Sequence, residues 1–405
     1  MLHTCLKALN CLGKYKMTIA LILIIGTTCF FIFLPYWQGY KAIQFLTSQN
    51  EEQLRFTPSL LSQIKETPYN ATLKKPLNGY RVLLTNRPYY WPEFYALYRI
   101  GKTIESMGGE YVIIDSADKH KEALKMIDPD FILAIRSSIK PSKDYINFLF
   151  IHSFISQYVD ENNQFNAKEY GHFLNYDGFI TMFNTLGPIE HYFEQNHKSF
   201  QSIKAYFSVQ KTDFSSNPKN KLCYWGSSLK DTTRFSDRYL DLYSALDKQD
   251  YFILYGPERT WGDKNFKSYK GALPFENDAL VSAIKNAGIA LLLHGQDHLK
   301  SGTPTARIFE AAAASALMIS DNHPFLREHF GDTVLYIDEN ADADDMFKQI
   351  DAHVKWALAH PDEAITKAKA SHKIFVDKFA LEHEVSKIIH FYEETKKIKS
   401  DAKKD

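Results

Sequence analysis

From residue 81 onward, the chain alternates between short apolar runs and longer segments whose apolar residues recur with helical spacing. Runs of about five apolar residues are typical of strands that are buried on both faces of a parallel sheet. They predict strands at residues 81–85, 111–114, 131–135, 148–151, 178–182, 205–208, 222–225, 251–255, 289–293, 317–320 and 334–337. The intervening segments predict helices at residues 95–107, 117–127, 277–286, 306–316, 342–360 and 361–378. Strands that alternate with helices in this way indicate an α/β fold.

A polar, loop-like segment at residues 213–221 divides this pattern into two similar parts. We therefore predict one Rossmann-like domain at residues 78–212 and a second at residues 213–380. Residues 381–405 form an amphipathic closing helix followed by a charged tail. The chain contains no Gly-x-Gly-x-x-Gly motif, so a dinucleotide-dependent dehydrogenase is a poor interpretation.

The N-terminal region differs from the rest of the chain. Residues 17–36 contain no charged side chain and are long enough to cross a hydrocarbon core of about 30 Å as a helix. We predict a short flank at residues 1–16, a single-pass transmembrane anchor at residues 17–37 and a stem at residues 38–77, with a cleaved signal peptide as the alternative. Lys7, Lys14 and Lys16 place the N-terminus in the cytosol by the positive-inside rule. The side on which the residues after the anchor lie stays open between a Golgi-like lumen and the cytoplasmic face.

Composition excludes several classes of protein. The 405 residues carry 48 basic and 48 acidic side chains, so no net positive field favours nucleic acid as a partner. Of the four cysteines, only Cys223 lies beyond the membrane-proximal region, which weakly favours a reducing compartment. No Cys/His spacing resembles a zinc site. We therefore expect no metal and no cofactor.

Residues 291–321 carry the clearest chemical signal. They read as strand, loop, helix and strand, with His294 at the end of the first strand and a Thr303-Pro304-Thr305 entry to the helix. A helix that starts at the carboxyl end of a parallel strand presents its first amides to a ligand, and those amides can bind an anion. Arg307 adds a permanent positive charge, and Glu310 follows one turn later on the same face. A guanidinium can bind the phosphate of a nucleotide-sugar, and a carboxylate can accept hydrogen bonds from its sugar hydroxyls.

The segment from Gly302 to Ala311 has the pattern Gly-x-Pro-x-x-Arg-x-Phe-Glu-Ala. This pattern resembles the donor-site signature of GT-B glycosyltransferases. The nearest variety is the one related to the spore maturation protein CgeB, within the glycosyl transferases group 1. The resemblance covers roughly the C-terminal half. It implies two facing Rossmann-like domains, with a nucleotide-sugar donor in the second and a carbohydrate, lipid or protein acceptor in the first. Many retaining members carry another glutamate eight positions before Glu310, where this chain has Gly302, so the stereochemical outcome stays open.

The resemblance also implies a set of donor-binding residues. The loop after the strand at 222–225 lies against the donor diphosphate, the segment 269–274 lines the base, and Glu310 binds the ribose while Arg307 contacts the diphosphate. The residues implied are Gly226, Ser227, Lys230, Arg234, Leu273, His294, Thr303, Pro304, Thr305, Arg307 and Glu310. We expect Arg307 and Glu310 to be essential for catalysis.

An acceptor hydroxyl requires a base, and His152 follows a predicted strand in the first domain. A hydrogen-bonded structural histidine is the alternative there, and Asp160 and Glu161 are further candidates with nothing to rank them. The predicted function is therefore that of a membrane-anchored glycosyltransferase. The alternatives are a catalytically inactive sugar-binding or scaffold protein of the same fold, and a nucleotide-sugar epimerase of the same fold.

Overall fold

The computed structural model of the protein describes residues 80–85, 91–114, 124, 127–184, 186–226, 237–273 and 278–402. The predicted flank, anchor and stem at residues 1–77 and most of the predicted helix 117–127 lie outside these residues, so they stay predictions. Within the described ranges, no helix combines the length and the apolar character that crossing a bilayer requires.

The first half of the described chain forms a parallel sheet of six strands in the order β2-β1-β3-β4-β5-β6. Its strands are β1 (Arg81–Thr85), β2 (Glu110–Ile114), β3 (Phe131–Ala134), β4 (Ile146–Ile151), β5 (Gly178–Thr181) and β6 (Ser202–Lys204). Its helices are α1 (Trp91–Ser106), α2 (Ala167–Tyr170) and α3 (Gly187–Gln195). The central strands β3, β4 and β5 are almost entirely buried, as their mainly apolar sequences predict.

The second half forms a parallel sheet of five strands in the order β11-β10-β9-β7-β8. Its strands are β7 (Lys221–Trp225), β8 (Phe252–Tyr255), β9 (Gly288–Leu292), β10 (Leu317–Ser320) and β11 (Leu335–Tyr336). Its helices are α4 (Asp237–Leu246), α5 (Glu258–Trp261), α6 (Ala279–Ala287), α7 (Gln296–Ser301), α8 (Ala306–Ala313), α9 (Pro324–His329), α10 (Ala343–Ala359) and α11 (Pro361–Lys378). Both sheets belong to one contact unit, Thr67–Asp405.

One predicted strand is wrong. Residues 205–208 are not a strand, and the sixth strand of the first sheet is instead β6, which comes just before them. The apolar character of 205–208 has another cause. This segment leads from the first sheet to the second and is packed against the C-terminal region, where the Ser208 hydroxyl donates to the carbonyl of Phe379. Burial without strand pairing therefore produced the same pattern as a strand.

The C-terminal helix α12 (Leu381–Asp401) returns to the first sheet and covers it. The ring of Phe391 stacks on Phe148, with centroids 4.8 Å apart, and Tyr392 stacks on Phe131 at 5.1 Å. The chain thus passes between the two halves twice. The two passages lie side by side, because the amide of Leu381 donates to the carbonyl of Val209 at 2.8 Å.

Gly178 allows this helix to approach the sheet. A Cβ atom at this position would lie 2.8 Å from Cε1 of the Phe391 ring, and the neighbouring atom Cζ lies nearer still. We expect Gly178→Ala to lower the free energy of unfolding by about 1–3 kcal/mol, as overpacking of a core does, measured by urea denaturation. Gly171→Ala is the control, since its Cβ would have only the Tyr192 hydroxyl nearby, at 3.4 Å. Equal stability of the two variants would contradict the close packing of α12.

Candidate functional site

Several of the predicted donor residues gather at one edge of the second sheet. Gly226 follows the last residue of β7, and His294 lies two residues beyond the end of β9. Buried Thr303 and Pro304 then lead into α8, whose N-cap residue is Thr305. The carboxyl ends of parallel strands share one edge of the sheet, which is where open α/β sheets bind ligands.

The amino end of α8 retains free hydrogen-bonding capacity. Thr305 has an extended backbone, and its side chain makes no capping hydrogen bond to the first turn. Its Oγ1 atom is buried and has no hydrogen-bond partner in the part of the chain that the structure describes. The first amides of a helix also lack partners within the helix, so this end can accept the oxygens of an anion.

Glu310 lies on α8 with both carboxylate oxygens held by protein donors. Its Oε1 accepts from Nη1 of Arg99 at 2.7 Å, and its Oε2 accepts from Nε1 of Trp225 at 2.8 Å. Its exposure is 5%, so this is a buried acid and not a carboxylate on the surface of a helix. A carboxylate has about four acceptor positions, and these two donors from the described residues occupy two of them. The predicted ribose contact stays a prediction.

Arg99 comes from the other half of the molecule. It lies on α1, its exposure is 6%, and its Nη2 donates to the Tyr95 hydroxyl at 3.0 Å. The guanidinium carbon also lies 3.9 Å from the centroid of the Tyr95 ring. Burial alone would lower the pKa of Arg99, but the Glu310 carboxylate raises that pKa above its ordinary value. Arg99 therefore carries its positive charge beside the Glu310 carboxylate, and the contact between them joins the two halves.

Arg307 is turned toward the end of β9. Its Nη2 donates to the carbonyl of Leu293 at 2.6 Å, and its guanidinium carbon lies 5.6 Å from the centroid of the Tyr224 ring. Both partners belong to the second half, and the side chain is buried. Arg307 therefore keeps its positive charge within one turn of the amino end of α8, and the predicted diphosphate contact stays a prediction.

His294 forms a buried pair with Asp321, which follows β10. Its Nδ1 donates to Oδ1 of Asp321 at 2.7 Å, and its backbone amide donates to the other carboxylate oxygen. Burial alone would raise the pKa of Asp321, but the charge and hydrogen bonds of His294 outweigh burial and hold that pKa below its ordinary value. The pair fixes the ring of His294 at the edge of the sheet.

A second histidine fixes the segment that leads into α8. Nε2 of His323 lies 3.1 Å from the carbonyl oxygen of Thr303, and Nδ1 of His298 lies 3.0 Å from the same oxygen. A carbonyl can only accept, so both imidazoles donate. Nδ1 of His323 must then accept, which it does from the amide of Phe325 as the N-cap of α9. Burial, reinforced by the nearby His294, lowers the pKa of His323 to about 3.

The neutral state of His323 predicts an acid dependence of stability. Between pH 6.5 and about 3, the unfolded chain binds a proton at this imidazole and the folded chain does not. The contribution of His323 to the free energy of unfolding is therefore complete above pH 6.5. As the pH is lowered through this window, that contribution falls by about 1.4 kcal/mol per pH unit. We expect His323→Asn, which keeps an N-cap acceptor, to show a shallower fall in urea unfolding between pH 6 and 4.

The control for this prediction is His390→Asn, which removes an exposed imidazole on α12. It should keep the wild-type dependence on pH. A His323→Asn variant whose stability falls as steeply as that of the wild type would contradict a neutral His323 in the folded protein.

His152 lies directly after β4 in the first half. Its Nε2 donates to the carbonyl of Ile135 at 3.2 Å, which leaves the lone pair on Nδ1. Burial, with a smaller contribution from the charge of Arg136, lowers the pKa of His152 to about 4. Two residues later, the ring of Phe154 lies 4.9 Å from that of His298 in the second half. His152 is thus beside a contact between the halves, and its role as a base stays a prediction.

The remaining predicted residues are less defined. Leu273 is half-buried, and it follows a segment that runs beside β8, where the amide of Gly256 donates to the carbonyl of Gly271 at 3.1 Å. Ser227, Lys230 and Arg234 lie outside the described residues. No group of three or more metal-binding side chains occurs among residues that the structure does describe.

Arg99 and Trp225 hold Glu310, and neither residue was predicted from the sequence to belong to the site. Both had a local signal. Trp225 ends a predicted strand at the edge where ligands bind, and Arg99 interrupts the apolar face of α1 between buried Leu97 and Ile100. A charged side chain in such a position is rarely buried unless it is paired. The sequence could indicate that Arg99 has a partner, but not that the partner is Glu310.

Residues 238–390 match a protein family described as glycosyl transferase-like. No curated protein matches the sequence significantly. Among solved structures, an alpha-glucosyltransferase in complex with UDP and a 13-mer DNA shares 10% identity, covers 77% of this chain and 99% of its own, and has a TM-score of 0.54. A glycosyltransferase from Rickettsia africae shares 14% identity, covers 78% of this chain and 98% of its own, and has a TM-score of 0.52.

Sucrose-phosphate synthase from Thermosynechococcus elongatus is also similar, with 11% identity, 78% and 98% coverage and a TM-score of 0.48. At such low identities the likeness concerns the fold alone. The two higher scores and the two parallel sheets confirm the α/β fold that the sequence predicts.

Proposed function

We propose that this chain transfers a sugar from a nucleotide-sugar to an acceptor hydroxyl, because its residues 238–390 match a family described as glycosyl transferase-like and its fold is similar to that of two solved glycosyltransferases. The observation that carries the proposal is the geometry of Glu310. Its carboxylate is buried at the carboxyl edge of the second sheet, and among the described residues each oxygen accepts from one donor, of the about two that it could accept from. The proposal is that two adjacent hydroxyls, such as those of a ribose, donate to the remaining positions.

The start of α8 supplies the complementary group for the diphosphate. Its first amides and the buried Thr305 hydroxyl can donate to phosphate oxygens, and Arg307 adds a positive charge behind them. These groups are fixed before the substrate arrives, so they stabilise the negative charge that develops on the departing diphosphate without reorganising. The proposal requires no metal and no cofactor.

The reaction forms one bond and breaks another. The acceptor oxygen bonds to the anomeric carbon, and the bond from that carbon to the diphosphate breaks with its electron pair. The proton of the acceptor passes to a base at the edge of the first sheet, and His152 is the proposed group. Its low pKa keeps Nδ1 unprotonated at pH 7 but also makes it a weak base.

The donor and the acceptor are proposed from weaker observations. One structural relative is described in complex with UDP, so a UDP-sugar is the first donor to test. The equal numbers of acidic and basic residues favour a carbohydrate, lipid or protein acceptor over nucleic acid. We also propose that residues 17–37 anchor the protein to a membrane.

The test is a ligand screen of the full-length protein with UDP-, GDP- and ADP-glucose and a CMP-sugar. We expect one of them to raise the melting temperature as its concentration increases and to release its nucleotide when acceptor is present. Binding without release would indicate an inactive sugar-binding protein, and conversion of the sugar without acceptor would indicate an epimerase. Stabilisation by none of the four would contradict the proposed donor site.

A further inference from the structure

The contact between Arg99 and Glu310 spans the two halves of the protein. Arg99 lies on α1, beside the first sheet, and Glu310 lies on α8, beside the second. The nitrogen and oxygen atoms of the pair are 2.7 Å apart, although 211 positions separate the two residues in the sequence. A group proposed to hold the donor is thus held in turn by the half proposed to hold the acceptor.

The plane of the Glu310 carboxylate depends on both of its donors. The terminal torsion of a glutamate is broad, so one hydrogen bond leaves the carboxylate free to rotate. Here Trp225 holds one oxygen from the second half, and Arg99 holds the other from the first. Two donors on opposite oxygens fix the plane, and with it the directions of the remaining acceptor positions.

Arg99 is itself held rigidly. The Tyr95 hydroxyl accepts from Nη2, and the Tyr95 ring lies against the guanidinium. By contrast, Lys102 on the same helix forms its ion pair with Glu105, one turn away, within the part of the chain that the structure describes, and its side chain is 42% exposed. The guanidinium of Arg99 is therefore held in one orientation beside Glu310. Lys102 is a suitable control, because it is a cation on the same helix whose ion pair lies within α1.

We propose that Arg99 is a positioning residue that orients Glu310 for the donor and thereby makes donor binding depend on contact between the two halves. This inference rests on the proposed function. With the halves in contact, Glu310 presents its free acceptor positions in a fixed direction. With the halves apart, the carboxylate keeps only Trp225 and loses that direction, so donor binding favours the closed arrangement.

The test compares donor kinetics of Arg99→Lys, Tyr95→Phe and Lys102→Ala, using the nucleotide-sugar that the wild type turns over. We expect Arg99→Lys to raise the donor KM about tenfold while kcat and the acceptor KM change less than about twofold. Tyr95→Phe keeps the ring and the charge, so it should raise the donor KM about two- to threefold. Lys102→Ala should behave as the wild type does.

Three outcomes separate failure of this inference from failure of the proposed function. An unchanged donor KM in both Arg99→Lys and Tyr95→Phe would overturn the positioning role. A lower donor KM in Arg99→Lys would also overturn it, because Arg99 would then compete with the donor for Glu310. If the wild type turns over none of the four nucleotide-sugars, the proposed function itself fails. Tyr95→Phe retains the buried ion pair, so it provides the test even if Arg99→Lys does not fold.

Discussion

Replacing Arg99 by methionine is expected to lower the free energy of unfolding by about 3–5 kcal/mol, because it leaves the Glu310 carboxylate buried without its partner. Both side chains are almost fully buried, so water cannot replace the lost hydrogen bond. Urea denaturation at pH 7 measures the change. Lys102→Met is the control, and because its ion pair is exposed we expect a loss of at most about 1 kcal/mol.

The double variant Arg99→Met/Glu310→Gln should recover most of this loss. Both charges are then removed, and the carbonyl of Gln at position 310 can still accept from Trp225. Together with the wild type, the variants Arg99→Met, Glu310→Gln and Arg99→Met/Glu310→Gln form a double-mutant cycle whose coupling energy reports the pair itself. A double variant that is less stable than Arg99→Met alone would show that the pair does not behave as a buried, mutually compensating ion pair.

The strands of this fold could be predicted because most of them are buried on both faces. β3, β4 and β9 are almost entirely apolar, with Asn147 in β4 as the one polar residue of the three, and the pattern located each to within two residues at either end. Prediction failed where burial has another cause, as in residues 205–208. It also missed α7, a helix of six residues, because its sequence Gln-Asp-His-Leu-Lys-Ser has too little apolar periodicity to separate it from a polar loop.

The candidate site likewise has one part that the sequence could predict and one part that it could not. Thr303, Thr305, Arg307 and Glu310 are neighbours in sequence, so one local motif places them together. The groups that hold them are distant in sequence: Arg99 on α1 for Glu310, and the residues after β10 for His294 and Thr303. Such partners depend on how two sheets meet, which residue spacing along a single chain does not specify.

The contact of Glu310 with Arg99, which is distant in sequence, affects how the role of Glu310 can be tested. On sequence alone, Glu310→Ala should abolish sugar transfer and leave the fold intact. In the structure, that substitution would also leave Arg99 as a buried cation without its carboxylate. A loss of activity would then combine a loss of stability with a loss of donor contacts, so the two must be separated by design.

Arg99→Met/Glu310→Gln provides that separation. Compared with Arg99→Met, we expect the double variant to be more stable and yet to transfer sugar about 100-fold more slowly, measured as kcat/KM for the donor. The reason is that a neutral amide replaces a carboxylate as acceptor for two hydroxyls, and hydrogen bonds to charged groups are the stronger kind. Stability and activity then change in opposite directions, which a purely structural role of Glu310 does not predict.

Glu363→Gln is the matched control, because it removes an exposed acid from the first turn of α11 and should leave kcat/KM at the wild-type value. If the double variant regains stability and keeps the activity of Arg99→Met, Glu310 holds the two halves together without touching the donor. The amino end of α8, which is the proposed phosphate site, would then have to provide the donor affinity alone. Thr305→Val, which removes one hydroxyl there at nearly constant volume, would become the decisive substitution.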